Sequence, residues 1–252
     1  MSIKLPKKIT PDRIRESIVQ IFFNSDIPFE PLVGYLHRLF LSRGYDYTNR
    51  PIRQFPLNAE LLPLDSSTFE IALTPQHFFF NEEIKIQLHQ NNSLIFNCTN
   101  NYIGWSRFYS AIEMLLKELY QEKLISSFTR VGIRYVSEFP NIDILEKVNF
   151  GFQMSVLNKP ISNGTFRVEW RESEHRIIVN LGSKLPINSL IEPDGSKVEF
   201  VSLIDVDVIN QEFEPCDCTQ LLSYLDNLHS NQKTVFFGLL NEEFLKSLNP
   251  EY

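Results

Sequence analysis

Asp205-Val206-Asp207 carries the most chemistry for its length. It falls in a run where Val198, Phe200, Ile204, Val206 and Val208 alternate as one face of a strand. Period two then puts both carboxylates on the opposite face, about 7 Å apart along the chain. Two acids so spaced can hold a divalent cation if a third ligand converges on them. A second charged pair, Arg130 and Arg134, shares one face of a strand predicted over 128–136, with Val131, Ile133 and Tyr135 on the other. If the two strands are neighbours, the four charges form a network of charge-assisted bonds. If they are not, Arg130, Arg134, Tyr135 and nearby aromatics could present a stacking platform to a nucleotide or a single strand. Ion network, metal site and solvated faces all stay open here, and no cofactor or metal is assigned.

Other constellations are thinner. Glu83-Ile84-Lys85, with Asp65 upstream, has the acid–x–lysine spacing of metal-dependent nucleases, a pattern that chance supplies often. Arg167, Glu169 and Arg171 alternate on one strand and read as a salt-bridge ladder or a docking strip. His37, His89, His175 and His229 are scattered, with no Ser or Cys nucleophile at a defensible local spacing. Cys98 stands alone, and Cys216-Asp217-Cys218 is too tight for an unstrained bridge, so free thiols are expected. No phosphate-cradling glycine loop, nucleophile elbow or zinc-protease helix occurs.

Positioning these groups takes a folded core, and 252 residues with 43% hydrophobic and 22% charged side chains are enough for one large domain or two lobes. A net charge of −7 disfavours non-specific nucleic-acid binding. The charge is also polarised. Residues 1–60 hold nine Lys and Arg against six Asp and Glu, while residues 187–252 hold three against twelve. No apolar run approaches the roughly 20 residues that span a bilayer, and the N-terminus lacks an apolar leader core, so a cytoplasmic protein without a membrane partner is expected.

Periodicity supplies the elements. A strand over Ser17–Phe23 leads past Pro28 into a helix ending near Arg43, striped by Leu32, Val33, Leu36, Leu39 and Phe40. Residues 45–68, punctuated by Pro51, Pro56 and Pro63, read as a long loop with at most one short strand. Tyr45, Tyr47 and Phe78–Phe80 read as exposed aromatics. Three alternating runs follow (Phe69, Ile71, Leu73; Ile84, Ile86, Leu88; Leu94, Phe96, Cys98), then a helix over 104–125. Beyond a link at 141–149 come a strand at 152–156 and a hairpin opposing Phe166, Val168 and Trp170 to Ile177, Val179 and Leu181. Pro193-Asp194-Gly195 turns the chain into the long acidic strand. Thr219 is expected to cap a helix bearing Leu221, Leu222, Leu225 and Leu228, and a short helix starts near Asn241. The sum is an α+β fold, a mainly antiparallel sheet with long amphipathic helices on one face. Two strand-rich lobes, 1–140 and 150–252, or one continuous domain both suit the pattern.

Several segments, in order, resemble a sporadically distributed family of prokaryotic proteins of about 250 residues, known by a sequence profile and without an established activity. They are Lys7-Lys8-Ile9-Thr10-Pro11, Ile18–Phe23, Tyr102-Ile103-Gly104-Trp105, Arg130–Tyr135, Leu203–Asp207 and Leu225–His229 with Phe236-Phe237. Val136-Ser137 stands where that family has Asn. The resemblance implies a stand-alone protein of a mobile locus, phage-defence or toxin–antitoxin-like, and brings no catalytic residues. A binding or adaptor protein, non-enzymatic, is therefore the expected function, its partner a protein encoded nearby or a second copy of itself.

Overall fold

The computed structural model describes residues 5–53, 73–99, 102–149, 163–191, 197–210 and 215–252. The expected strand at 152–156, the turn at 193–195 and most of the run Phe69–Leu73 lie outside these. The described residues are mostly antiparallel sheet with helices, an α+β architecture of nine strands. Contacts divide the chain into two compact units. The first holds Met1–Ile18, Val131–Glu212 and Leu222–Tyr252, and the second Val19–Arg130 and Phe213–Leu221. Residues 140–150 fall inside the first unit.

In the second unit, β2 (Asp46–Arg53), β3 (Leu73–Phe80), β4 (Lys85–His89) and β5 (Ser93–Thr99) pair in sequence order, with β5 beside β1 (Ile14–Asn24). Part of the expected 45–68 loop is thus strand. Asn81 starts the β3–β4 turn by accepting the N–H groups of Glu83 (2.9 Å) and Ile84 (2.8 Å). Helix α1 (Phe29–Ser42) buries Leu32, Leu36 and Phe40, and the Phe40 ring meets Phe79 edge-on with centroids 4.7 Å apart. That placement corrects the reading of the aromatics as exposed. Strand β3 is flanked on both sides within the sheet, Phe79 is turned to α1, Tyr45 lies tilted against Phe40 with centroids 5.9 Å apart, and Phe78 lies under the Lys85 ammonium at 4.4 Å. Of the five residues so read, Tyr47 is half-buried and only Phe80 stays exposed.

Helix α2 (Trp105–Gln121) buries Phe108, Ile112, Leu115, Leu116 and Leu119 as its spacing predicts. It stops short of residue 125 because Lys123 turns left-handed (φ 56°) and the N–H groups of Lys123 and Leu124 fold back on the carbonyls of Tyr120 and Leu119.

In the first unit, β6 (Ser127–Pro140), β9 (Lys197–Asn210), β8 (His175–Ile191) and β7 (Gly164–Glu172) are hydrogen-bonded in that order. The β7–β8 hairpin opposes the expected sets, with Phe166 opposite Leu181, Val168 opposite Val179 and Trp170 opposite Ile177, and Glu172 joins the ladder opposite His175 where a turn residue is expected. The β6–β9 pairing runs unbroken from Val131↔Asn210 to Pro140↔Val201. Helix α3 (Cys218–Leu239) buries the four leucines expected of it. Its cap is Asp217 rather than Thr219. Asp217 Oδ1 accepts the Gln220 N–H (2.8 Å) and Gln220 Oε1 accepts the Asp217 N–H (3.2 Å), a reciprocal box that Thr219, two residues later and already inside the helix, cannot form. The short helix α4 (Glu242–Ser247) starts where expected, and the Asn241 side chain caps it by accepting the Phe244 N–H.

Candidate functional site

Of the acids and arginines singled out above, Asp205, Asp207 and Arg134 meet on one sheet face of the first unit. Register brings them there. On β9, Asp205 lies opposite Asn180 of β8 and Val136 of β6, and Asp207 lies opposite Ile178 and Arg134. Arg134 then reaches diagonally. Its Nε donates to Asp205 Oδ1 at 2.8 Å and its Nη2 to Oδ2 at 2.9 Å, a two-pronged fork. Asn180 Nδ2 adds a third bond to Oδ2 at 2.8 Å. The Asp205 side chain is 9% exposed, so these bonds stand in for most of the water it has lost. Burial alone pulls the Arg134 guanidinium down, but the bonds and charge of Asp205, with Asp207 and Glu16 behind them, hold it above its ordinary value.

The network continues toward β7. Arg167 bonds Asn180 Oδ1 and Glu169 Oε2, both at 3.3 Å, and Arg176 forks onto Glu169 at 2.5 and 2.8 Å. Those hydrogen bonds hold the Glu169 carboxyl below the usual range. The ion network and the β7 ladder are therefore one system. Arg176 and Asn180 complete it, and neither was singled out from sequence, although both alternate against Ile177, Val179 and Leu181 by the same period two. Arg171 makes no ion pair among the described residues.

Such a face is charge-compensated from within. An anion could recruit Arg134 only by breaking its fork with Asp205, and a cation could recruit Asp205 only at the same cost. Among the described residues no group of three His, Cys, Asp or Glu could hold a metal ion. Tyr135 is turned to the opposite, buried face, its ring 6.1 Å from His229 of α3. Arg130 belongs to the second unit, where it sits over the Phe22 ring at 4.9 Å.

The second unit uses its own candidate groups internally. Glu83 pairs with Arg107, Arg43 forks onto Glu118 at 3.0 Å, and Tyr47 hydrogen-bonds His77 Nδ1 at 2.8 Å with His37 edge-on to the phenol ring. Burial pushes the Tyr47 phenol up and the His77 imidazole down, so this pair is a neutral hydrogen bond. Cys216 and Cys218 are free and buried, each pushed up to about 11 chiefly by burial, which keeps them thiols at neutral pH.

One buried polar group escaped sequence reasoning altogether. Asn210, the last residue of β9, is 0% exposed, and neither atom of its carboxamide has a hydrogen-bond partner. It stands opposite Val131 and His175. Asn210→Leu is expected to raise the unfolding free energy by about 2 kcal/mol, because it removes two unsatisfied groups at similar volume. Urea unfolding measures it, and a loss instead of a gain would mean that the carboxamide is solvated in solution.

No helix among the described residues is long and apolar enough to cross a membrane. No protein-family model matches the chain, and no curated protein matches it.

Proposed function

We propose that this is a binding protein acting through protein–protein contact, an adaptor of a mobile, phage-defence or toxin–antitoxin-like locus whose partner is encoded nearby. The observation that carries the reading is the outer edge of β7. This strand is nine residues long, keeps an uninterrupted register with β8 and ends the strand order, so no strand among the described residues pairs with its other side. Edges are often blunted by proline, a bulge or charged side chains, lysine above all; β7 has no proline, lysine or bulge, and its charges Arg167, Glu169 and Arg171 alternate in sign, so an incoming strand can match them. Among the described residues its outer main-chain groups face no strand, and its side chains alternate, half-buried Phe166, Val168 and Trp170 on one side and exposed Arg167, Glu169 and Arg171 on the other. Added strands gain affinity from such main-chain bonds and specificity from alternate side chains. The Tyr135–His229 and Phe139–Phe244 contacts support helices covering one sheet face, which leaves the charged face and the β7 edge for partners.

The test is co-expression of the tagged chain with its gene neighbours, followed by capture and mass spectrometry, beside Val168→Lys. A stoichiometric partner that the lysine variant no longer retains is the expected result. Equal capture by both forms, with unchanged circular dichroism, would move the contact away from β7.

A further inference from the structure

We infer that the β7 edge pairs with β7 of a second copy of this chain, antiparallel, about a two-fold axis at Val168. The inference rests on the reading of this edge as a protein-binding surface and goes on to name what it binds.

The hairpin turn decides which main-chain groups are free. Strands β7 and β8 are joined by two residues, Ser173 and Glu174, with Ser173 at φ 53°. In a two-residue hairpin the flanking pair, here Glu172 and His175, exchanges both hydrogen bonds, and bonded pairs then alternate along the ladder. Glu172, Trp170, Val168, Phe166 and Gly164 therefore face β8. Thr165, Arg167, Glu169 and Arg171 point their N–H and C=O groups outward. A second β7 can hydrogen-bond here only in registers that set these four against their own counterparts.

Charge chooses among those registers. Centring the axis on Arg167 sets Arg167 against Arg167, and centring it on Glu169 sets Glu169 against Glu169. Centring it on Val168 sets Arg167 against Glu169 twice, Phe166 against Trp170 twice, and Val168 against itself. That register also aligns the two strands end to end, Gly164 against Glu172. Opposite charges and aromatic pairs directly across a ladder are the favourable cross-strand combinations, and like charges the unfavourable ones. One register thus satisfies main-chain bonding, charge, side-chain pairing and strand length together. About eight main-chain hydrogen bonds result, in an isologous contact of the commonest symmetry.

The experiment uses the full chain. At the axis the two Val168 residues form a non-bonded pair with Cα atoms about 4.5 Å apart, inside disulfide range. Val168→Cys is expected to give a covalent dimer on mild oxidation, while Phe166→Cys, which faces Trp170, stays monomeric on a denaturing gel. In sedimentation, Arg167→Glu alone and Glu169→Arg alone each weaken the dimer about tenfold. An equal mixture of the two restores it as a heterodimer, because each like-charge clash becomes an opposite pair. Monomeric wild type without a Val168→Cys crosslink would overturn homotypic pairing, as would a dimer indifferent to both charge reversals. If Val168→Lys still abolished capture of a neighbour-encoded protein, the edge would bind a different chain and the reading above would stand. If Val168→Lys changed neither assembly nor capture, that reading would fall as well.

Discussion

Arg134→Met is expected to lower the stability of the first unit by about 3 kcal/mol. The methionine replaces most of the arginine stem, so the loss reports the guanidinium and not a cavity. What remains is a carboxylate with one amide donor, Asn180, in a setting that water barely reaches. The pair is a weak source of net stability while intact, and its halves are costly alone. Asp205→Asn is expected to cost less than Arg134→Met, since the guanidinium it strands is more exposed than the carboxylate (26% against 9%) and can still donate to the new carboxamide oxygen, and the double variant less than the two losses added. Arg134→Lys should fall between, because an ammonium cannot fork onto both oxygens. The two tryptophans make the measurement selective: Trp170 lies in the first unit and Trp105 in the second. Denaturant unfolding in a Trp105→Phe background follows the first unit alone. A loss under about 1 kcal/mol for Arg134→Met would place the pair among ordinary screened surface contacts.

The second large effect is a pH dependence. Burial, with the Lys233 ammonium one turn along α3 adding to it and Asp226 opposing, lowers the His229 imidazole to about 4. The unfolded chain holds the same side chain near its ordinary value of 6.5. Between those values the unfolded state binds a proton that the native state does not, so stability rises with pH across the window. It is fully present above about pH 6.5 and is lost progressively down to about pH 4, some 3 kcal/mol in all. His229→Gln removes the titration and should flatten that segment of the Trp170-monitored stability profile. His77 and His89, also lowered by burial, titrate in the second unit and stay in the variant as an internal comparison. An unchanged slope in His229→Gln would show that the imidazole is solvated in the native state.

Local rules made much of this protein legible. Apolar spacing located α1 and α2, and period two gave the two opposing sets of the β7–β8 hairpin, because both signals depend only on neighbours along the chain. The Arg134–Asp205 bond was within reach as a pairing of faces. Its diagonal geometry was not, since that depends on the register of two strands some 70 residues apart. Phe78 and Phe79 were misread because a run of consecutive aromatics looks the same in a loop as in a strand flanked on both sides. Asp217 and Thr219 are both good capping types, and only the reach of Gln220 separates them. Asn210 carries no signal at all, being one polar letter at the end of an apolar run. The division into units was equally hidden, because composition does not record which distant strands meet.

That division bears on how the protein is made. The second unit draws nearly all its residues from Val19–Arg130, so a ribosome delivers most of it in one stretch. The first unit opens with Met1–Ile18 and waits for Val131 onward. Strand β1 lies beside β6, and the bond from the Glu138 N–H to the Arg13 carbonyl shows how much of the chain is made between such partners. Until then the start of β1 has no partner within its own unit. At about 5–20 residues per second the wait lasts several seconds or more, during which a nascent strand edge is open to chaperones or to other chains. Interleaving of this kind raises contact order and slows folding. A slow codon stretch just after residue 140 is expected to favour native assembly, whereas one just before residue 130 prolongs the exposure.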